Sequence, residues 1–306
     1  MRVMSAGDGY KYLLRTVATG DGERTLSTPL TRYYAEGGTP PGRWIGSAVT
    51  ALGGGALAVG DEVTEQQLQL LIGQGFDPVT KKALGRPYRK YPTTAERIQR
   101  RTAKLDTKLP VTERAAAVAA IESEEAARDS RKAVAGFDFT FSIPKSASVL
   151  WAVSDAGTQS LIADAHHAAV AEMVAFIERE VAATRVGSAG RNGAVSQAEV
   201  SGVIATAFDH YDSRAGDPHL HTHVVISNKV QTVHDGRWRS LDGRTLHAAT
   251  VALSELHEAV FADHLTRAFG VEWEARSMGR DRNPAWAVTG VPEELVAEFS
   301  TRARHI

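Results

Sequence analysis

Four histidines occupy positions where two neighbouring strands would bring three of them together. His219, His221 and His223 alternate after Pro218 and lead into an apolar run, so on a strand they share one face. Because a strand rises about 3.3 Å per residue, His219 and His223 would lie about 13 Å apart, too far to hold one ion together. His210, which follows the preceding apolar run, supplies the third imidazole. His210, His221 and His223 therefore predict a site for one divalent metal ion.

Three neutral imidazoles leave coordination positions open, which is typical of a catalytic rather than a structural metal site. The bound ion would polarise a carbonyl or a phosphoryl oxygen. Imidazole ligands favour Zn, Ni or Co in vitro, whereas phosphate chemistry in cells often uses Mg or Mn. The residues therefore predict a divalent ion and leave its identity open.

Two pairs of tyrosines offer hydroxyl groups that could attack a phosphate held at such a site. Tyr10 and Tyr12 lie near the N-terminus, and Tyr33 and Tyr34 form the second pair. A tyrosine hydroxyl, with a pKa of about 10, is a poor nucleophile until another group activates it. On an α-helix Tyr10 and Tyr12 would be about 200° apart, so only one of them can face the ion.

We expect Tyr10 to be the first nucleophile, with Tyr12 as the second choice. The sequence predicts a short strand at 2–5 and a helix at about 9–17, which places Tyr10 in the first turn, nearest the sheet. Two leucines three and four residues later would share its side and shelter it from water. Tyr33 or Tyr34 would serve a later transfer step. Packing in the core is the alternative for each tyrosine.

The stretch 136–142 alternates three phenylalanines with polar residues, which is typical of a strand with one buried and one wet face. Asp138 lies on the wet face, where we expect its carboxylate to reach a ligand histidine or the attacking tyrosine. A helix follows, with Ser146 as a candidate cap. Lys145 at its start is a candidate phosphate contact, although ordinary capping explains this helix start equally well.

A basic segment, 81–104, contains two tyrosines and a single acid, Glu96. A positive groove with interleaved aromatic rings holds single-stranded nucleic acid, with phosphates on the cations and bases on the rings. A solvated loop is the alternative interpretation. The candidate DNA contacts are Lys81, Lys82, Arg86, Arg89, Lys90, Arg97, Arg100, Arg101 and Lys104, with Arg185 and Arg191 as weaker candidates further along the chain.

The composition is that of an ordinary globular protein, since 43% of the 306 residues are hydrophobic and 23% are charged. The formal net charge of −1 argues against a uniformly basic nucleic-acid binder, so DNA contacts must be local. The absence of cysteine excludes disulfides and thiolate catalysis. No apolar run near the roughly 18 residues of a membrane span is evident, and the N-terminus lacks the layout of a secretory signal.

Strands joined by hairpins and separated by long helices predict an α+β fold with a central, mostly antiparallel sheet flanked by helices. The strands are expected at 2–5, 136–142, 198–208, 221–233, 271–276 and 285–288, and the helices at 64–71, 111–131, 157–184, 247–268 and after Pro292. The histidines would then lie at the adjoining ends of two strands of this sheet.

These motifs together resemble the relaxase domain of F-plasmid-type, TrwC-like conjugative relaxases. That family belongs to the endonuclease superfamily named for its histidine–hydrophobe–histidine (HUH) motif. The resemblance rests on the N-terminal tyrosines, on 137–146, and on His210 with 217–223, and it covers nearly the whole chain. It implies a palm-like fold and a metal-dependent nickase that leaves a tyrosine attached to the 5′ phosphate at an origin of transfer. By the same resemblance, His210, His221 and His223 match the metal ligands and Asp138 matches the supporting acid.

The resemblance also implies partners and a cellular setting. The partners would be single-stranded or hairpin DNA of the transfer origin, a conjugative coupling protein and the type IV secretion machinery. We expect a monomer that works in the cytoplasm of the donor cell and is transferred to the recipient with the DNA. Residues 1–306 would form one relaxase domain, in which 76–132 is a DNA-contacting insertion. A helicase region is expected C-terminal to the relaxase domain.

Two features depart from the family pattern. Lys11 separates Tyr10 from Tyr12, where the family often has adjacent tyrosines. The stretch between the two tyrosine pairs is also longer than the family pattern. The middle residue of the histidine motif is Thr222 instead of a large hydrophobe. This is not a departure, because the resemblance to this branch of the family leads us to expect it.

Three other functions fit parts of the pattern. A rolling-circle replication initiator uses the same chemistry in a typically smaller protein. A metal hydrolase for small molecules would need neither the basic segment nor a reactive tyrosine, and a DNA-binding module would use the histidines for a structural ion. Only a relaxase or an initiator would form a denaturation-resistant adduct with a labelled origin oligonucleotide in the presence of a divalent ion.

Overall fold

The computed structural model describes residues 1–14, 40–128, 131–187, 194–213, 215–277 and 284–301. These residues form a mixed fold of helices around a five-stranded antiparallel sheet, which confirms the predicted α+β class. Three of the candidate site residues, Tyr33, Tyr34 and Arg191, lie outside the described residues.

The central sheet consists of β1 (Arg2–Ser5), β2 (Arg43–Ile45), β3 (Val134–Ser142), β6 (Ala205–Asp212) and β7 (Pro218–Ser227). Three hairpins supply the other strands: β4 (Ala183–Gly187) with β5 (Val195–Glu199), β8 (Lys229–Gln231) with β9 (Trp238–Ser240), and β10 (Trp273–Arg276) with β11 (Ala285–Val288). The order in the central sheet is β1-β3-β7-β6-β2, and every neighbouring pair is antiparallel. The strands β6 and β7 therefore lie next to each other inside the sheet.

The described helices include two long ones that cover one face of this sheet. In chain order the α-helices are α1 (Glu65–Leu68), α2 (Thr94–Thr102), α3 (Val111–Ala126), α4 (Lys145–Val153), α5 (Ala156–Phe176), α6 (Gly243–Phe269) and α7 (Glu293–Glu298). Short 3₁₀ helices span Asp8–Leu14 and Ser47–Gly54, and π-helical turns extend α1 through Gln69–Gln74 and α5 through Ile177–Val181.

Side chains on the strands alternate between a helix face and a site face. The helix face carries Phe137, Phe139 and Phe141 of β3, which pack with Val224 and Ile226 of β7 against α5 and α6. The three phenylalanines are buried, as the alternation in the sequence predicts. Apolar burial of this kind is the main stabilising contribution to the fold.

The site face of the sheet is divided along the strands. At one end Met4, Phe208 and Val225 pack under the segment 44–84 in an apolar cluster. At the other end the same face presents the polar side chains Asp138 and Thr140 of β3 and the histidines of β6 and β7. The candidate site lies at this polar end.

No apolar run as long as a membrane span was expected from the sequence, but α5 with its π-helical extension forms one. The segment Ala156–Val181 is long and apolar enough to pass as a membrane span by length and composition alone. Half of its most apolar window is buried inside the protein, where Val170, Met173 and Val174 pack against the sheet. This is the packing of a core helix.

The basic segment also contains a helix that the sequence reasoning did not predict. In α2, the Thr93 side chain accepts from the backbone N–H of Glu96, and the Glu96 carboxylate accepts from the backbone N–H of Thr93. This reciprocal capping box is visible in the sequence as Thr-x-x-Glu, so a search for it would have placed the helix start. The predicted helix at 111–131 is α3, which ends at Ala126.

Candidate active site

The strands β6 and β7 bring three imidazoles together on the site face. His210 pairs directly with His221 across the two strands, and His223 follows two residues later on the same face. Their ring centroids lie 5.0 to 5.3 Å apart. One candidate ligand nitrogen of each ring lies within 4.8 Å of the other two. The structure thus assembles the three histidines that the sequence grouped.

Hydrogen bonds show which nitrogen of each ring is free. His221 Nδ1 lies 2.7 Å from the carbonyl oxygen of His219, which can only accept, so Nδ1 carries the proton and Nε2 has the lone pair. His223 Nδ1 likewise donates to the Asp138 carboxylate at 2.9 Å. His210 Nε2 is buried and has no hydrogen-bond partner among the described residues. His210 Nε2 and the Nε2 atoms that the Nδ1 hydrogen bonds leave on His221 and His223 fit a metal ion, since each ring brings one candidate ligand nitrogen within 4.8 Å of the other two.

Burial favours the neutral form of His210 and His221, which is the form that binds a metal. Loss of hydration is the largest cause that lowers the pKa of His210, to about 4, and the nearby His223 lowers it further. Loss of hydration is also the largest cause that lowers the pKa of His221, to about 3. Both rings therefore remain neutral and available as ligands near neutral pH.

His219 lies beside this group without joining it. Its ring packs on His221 with 4.7 Å between the centroids, and its Nε2 lies 3.4 Å from Ser142 Oγ. His219 is not among the three histidines whose candidate ligand nitrogens lie within 4.8 Å of one another, which agrees with the His219–His223 separation expected from the strand spacing. The carbonyl group of His219 orients the His221 ring through the bond to Nδ1.

Asp138 connects the histidines to a tyrosine. Its Oδ1 accepts from His223, and its Oδ2 accepts from the Tyr12 hydroxyl. The carboxylate is buried, and the Tyr12 ring meets the His223 ring edge-on with 6.1 Å between centroids. The predicted position of Asp138, within reach of a ligand histidine or a tyrosine, is confirmed for both partners.

The expected orientation of Tyr10 is wrong. Tyr10 is only 1% exposed and packs in the apolar cluster with Leu13 and Leu68. The residues 8–14 form a 3₁₀ helix instead of the predicted α-helix, and in three residues per turn Tyr10 and Leu13 lie on the same side. The apolar side that was expected to shelter a reactive hydroxyl is part of the core, and Tyr12 faces the polar end of the sheet.

The Tyr12 hydroxyl is held in its protonated form. Burial is the largest cause that raises the pKa of Tyr12, and the charge and hydrogen bond of Asp138 raise it further. Arg2 opposes this effect, since its guanidinium lies over the Tyr12 ring, 4.7 Å from the centroid. The sequence reasoning missed Arg2, because only the pairing of β1 with β3 places it opposite Asp138.

Lys145 and Ser146 have structural contacts that the sequence did not indicate. Lys145 Nζ donates to the carbonyl oxygen of Pro218 at 2.7 Å, which ties the start of α4 to the start of β7. Burial lowers the pKa of Lys145. The prediction that Ser146 caps the helix is wrong, because α4 has no side-chain cap and Ser146 Oγ accepts from the backbone N–H of Val288 at 2.9 Å.

Part of the basic segment lines a groove of about 940 Å³, here called the basic groove. Arg89, Lys90 and Arg100 line it together with Tyr88 and Tyr91. The Arg89 guanidinium lies over the Tyr91 ring at 5.1 Å from the centroid. Two further cations that the sequence reasoning missed, Arg131 and Lys132, also line the groove, and so does Gly7, which precedes the helix that carries Tyr12.

Two arginines of the segment are engaged elsewhere. Arg97 Nε donates to Glu125 at 2.6 Å, and Arg101 binds Glu125 at 3.0 Å and Glu124 at 2.6 Å. Glu125 is buried, so these contacts fasten α2 to α3. The two guanidinium groups are therefore committed within the helical hairpin.

The remaining candidate DNA contacts lie outside the basic groove. Lys81 and Lys82 belong to a turn around Asp77 and do not line the groove. Arg86 lines an adjoining pocket of about 590 Å³, which shares Arg89 and Tyr91 with the groove. Arg185 lines a further pocket and lies 3.4 Å from an Asp242 carboxylate oxygen.

Comparison with known proteins gives a consistent assignment. The TrwC relaxase family model matches residues 6–306. The multifunctional conjugation protein TraI of Escherichia coli is 33% identical over 180 residues, which cover 56% of this chain and 9% of that protein. TraI of Escherichia coli strain K12 matches to the same extent. The chain thus spans only a small part of the length of these two relatives.

Solved structures show the same fold. The conjugative relaxase TrwC in complex with oriT DNA, in a copper-bound form, has a TM-score of 0.64 and 24% identity, covering 99% of this chain and 80% of that chain. A metal-bound structure of TrwC with oriT DNA has a TM-score of 0.61 and 22% identity, covering 99% and 79%. At these identities the structural likeness establishes the fold.

Proposed function

Because the chain belongs to the TrwC relaxase family, we propose that it is a metal-dependent DNA nickase and strand transferase. It would cut one strand at the transfer origin of a conjugative plasmid or integrative element and remain joined to the DNA through a 5′-phosphotyrosine. The observation that carries this proposal is the convergence of a tyrosine hydroxyl, a carboxylate and three imidazoles at one end of the sheet.

Tyr12 is the first nucleophile in this proposal, in place of the Tyr10 that the sequence favoured. Its hydroxyl is the one that contacts Asp138, and its ring contacts His223. Tyr10 is enclosed in the core, where a phosphate cannot reach it without displacing apolar side chains. Attack by a tyrosine requires an acceptor for its proton, and the Asp138 carboxylate is already hydrogen-bonded to that proton.

The proposed nicking step is a transesterification. Tyr12 gives its proton to Asp138, and its oxygen forms a bond to the scissile phosphorus. The bond from phosphorus to the 3′ oxygen of the upstream strand breaks, and that oxygen leaves as a 3′ hydroxyl with a proton that Asp138 returns through solvent. The number of phosphodiester bonds is unchanged, so a hydroxyl can later reverse the reaction and reseal a strand.

His210, His221 and His223 would hold the divalent ion through their Nε2 atoms. A bound ion supplies Lewis-acid polarisation of a phosphoryl oxygen. Asp138 accepts from His223 Nδ1 and so keeps Nε2 of that ring directed at the ion site, while the His219 carbonyl does the same for His221. Mg or Mn is our proposal for the ion in cells, and Zn, Ni or Co for loading in vitro.

The basic groove is the proposed path of the single strand. Arg89, Lys90 and Arg100 would bind phosphates, and the Tyr91 ring would stack on a base. The segment 76–132 then acts as a DNA-contacting insertion, with the α2–α3 hairpin as one wall of the groove. Single-stranded or hairpin origin DNA is thus the proposed substrate.

Other parts of the proposal rest on family membership alone. Tyr33 or Tyr34 would carry out a later strand-transfer step. A conjugative coupling protein and the type IV secretion machinery would be partners of a monomer that acts in the donor cytoplasm and enters the recipient with the DNA.

The test uses oligonucleotides that tile the DNA flanking the gene, each labelled at its 5′ or its 3′ end. The protein is incubated with them and with Mg²⁺ or Mn²⁺, and the products are separated under denaturing conditions. We expect one 3′-labelled oligonucleotide to move with the protein and its 5′-labelled version to release a shorter free strand. Adduct on the 5′ label, or no adduct across the whole set, contradicts the proposal.

A further inference from the structure

Behind the three histidines, on the helix face, lies a second set of polar side chains. Asp209 precedes His210 on β6, and Thr222 lies between His221 and His223 on β7. The two residues pair directly across the strands, one position along from the His210–His221 pair. Because side chains alternate, Asp209 and Thr222 point to the opposite face from the histidines. They are 3% and 0% exposed.

The direction of the hydrogen bonds in this set is determined by the single proton of the threonine. Thr222 Oγ1 lies 2.5 Å from Asp209 Oδ1, a carboxylate oxygen, so the hydroxyl donates its proton there. His166 Nε2 lies 2.8 Å from the same Oγ1 and must therefore donate to it. His166 Nδ1 then accepts from His257 Nε2 at 3.2 Å. All donors point towards Asp209.

The other side of the Asp209 carboxylate is also occupied. Its Oδ2 binds the Arg43 guanidinium of β2, and His167 Nε2 lies 3.0 Å away. Burial raises the pKa of Asp209, but the contacts with His167 and Arg43 lower it more, so the net pKa is well below the usual range. A buried carboxylate needs such partners, because an unpaired charge would be strongly destabilising.

This arrangement connects the two ligand-bearing strands to three other elements. His166 and His167 belong to α5, His257 belongs to α6, and Arg43 belongs to β2. The contacts converge on one cross-strand pair, whose sequence neighbours are the three metal-ligand candidates. A shift of that pair would move the imidazoles, and metal–ligand distances tolerate only about 0.2 Å.

We propose that Asp209, Thr222 and His166 are positioning residues, which set the geometry of the metal ligands from the opposite face of the sheet. The proposal rests on the proposed metal site and extends it, since these side chains lie on the opposite face of the sheet from the three metal-ligand candidates. It also assigns a task to the middle residue of the His-Thr-His motif: the Thr222 hydroxyl joins Asp209 to His166, which a hydrophobic side chain could not do.

The first test replaces Thr222 by valine, which has the same shape and no hydroxyl, and measures binding of Co²⁺ to the metal-free protein. The visible absorption of bound Co²⁺ reports coordination geometry, which loss of fold stability alone does not change. We expect affinity for Co²⁺ to fall about tenfold, at the lower end of effects seen for outer residues of metal sites, with a changed spectrum. Thr222→Ser keeps the hydroxyl and should restore both.

Thr206→Val is the matched control. Thr206 is a buried threonine on β6 whose hydroxyl has no partner within the described part of the chain. We expect its Co²⁺ affinity and spectrum to equal those of the wild type. If Thr222→Val binds Co²⁺ like the wild type, or if Thr206→Val weakens binding as much as Thr222→Val, the positioning role is contradicted.

A second variant keeps the test decisive if Thr222→Val does not fold. Asp209→Asn retains the shape of the side chain and removes the charge that collects these hydrogen bonds, and we expect the same weakening and spectral change for Co²⁺. A folded Asp209→Asn variant with wild-type Co²⁺ binding overturns the proposal. The Co²⁺ readout requires no DNA, so a wild-type protein that binds Co²⁺ but forms no adduct would contradict the proposed function and leave this inference standing.

Discussion

The two faces of the β6–β7 strand pair differ in whether their polar side chains have hydrogen-bond partners. On the site face, the nitrogens of His210, His221 and His223 converge, and His210 Nε2 has no partner within the described residues. On the helix face, the Asp209–Thr222 pair has hydrogen-bond or ion-pair partners on every side. Neighbouring residues of one strand thus belong alternately to the cluster of metal-ligand candidates and to the hydrogen-bonded network on the opposite face. In this strand pair, the face with an unpartnered ligand nitrogen is the candidate reactive face, and the hydrogen-bonded pair behind it is its support.

The charged side chains of the basic segment show the same contrast. Arg97 and Arg101 are bound to the buried Glu125, so they hold α2 against α3. Arg89 and Arg100 line the basic groove. Sequence position alone does not separate these two pairs, although they would have different effects when replaced. Substitutions on the site face or in the basic groove should change DNA chemistry or DNA binding. Substitutions in the helix-face network or in the contacts to Glu125 should change stability or geometry.

The largest effect should come from the two tyrosines of the N-terminal helix. Tyr12→Phe removes the hydroxyl that contacts Asp138, so we expect no covalent adduct with the origin oligonucleotide on a denaturing gel. Tyr10→Phe is the matched control, because it makes the same chemical change on the core side of the helix and should retain most adduct formation. Adduct formation by Tyr12→Phe with none by Tyr10→Phe would return the role to Tyr10.

Next in size is the loss of the proposed base. Asp138→Asn retains the shape of the side chain but cannot take the Tyr12 proton, so the single-turnover rate of adduct formation should fall by about 10²- to 10⁴-fold. Asp164→Asn makes the same change at an exposed position of α5, away from the hydrogen bond to Tyr12, and should keep the wild-type rate. Equal rates for Asp138→Asn and the wild type would exclude a proton-accepting role.

The buried His257 on the helix face should make the stability of the metal-free protein depend on pH. Burial lowers the pKa of His257 to about 4, from about 6.5 in an unfolded chain. Between these values the unfolded chain binds a proton that the folded protein does not, so stability is lost as the pH falls from about 6.5 to 4. For His257 alone the loss should be on the order of 3 kcal/mol.

Denaturant unfolding of His257→Gln at pH 7 and pH 4.5 measures this contribution. The variant should lose less stability than the wild type over that interval, because glutamine does not titrate. His247→Gln is the control on the same helix, since His247 is exposed and its replacement should leave the pH dependence unchanged. An identical pH dependence in all three proteins would show that His257 does not titrate differently on folding.

The smallest effect should be on DNA affinity. Replacing Arg89, Lys90 and Arg100 by glutamine should weaken binding to single-stranded DNA and reduce the slope of log affinity against log salt by about 2, given about 0.7 per phosphate contact. The control replaces Lys81, Lys82 and Lys104, which removes the same charge from outside the basic groove. If both triple variants lose the same slope, net charge rather than the groove governs binding.

The local periodicity of the sequence was sufficient for much of the fold. Alternating phenylalanines located β3 and its buried face, and apolar runs located the two long helices. The predicted strands 198–208 and 221–233 were located only in part, because each spans residues of two strands, β5 with β6 and β7 with β8. The His-x-His spacing with His210 identified the metal-ligand candidates, because two adjacent antiparallel strands bring such residues to the same end of the sheet. Asp138 followed from the same alternation. Each of these features depends on neighbours a few positions apart in the chain.

The tertiary structure decided which of the chemically similar side chains faces the site. Tyr10 and Tyr12 differ only in which side of one short helix they occupy, and the 3₁₀ geometry of that helix places Tyr10 with Leu13 in the apolar cluster under 44–84. The engagement of Arg97 and Arg101 depended on Glu125, some 25 residues away in the sequence. Asp209 contacts Arg43 directly and is connected to His166 through Thr222, and both connections arise only from packing of distant elements. A sequence states which groups are present and how they alternate, but contacts between distant segments determine which polar atoms remain free to react.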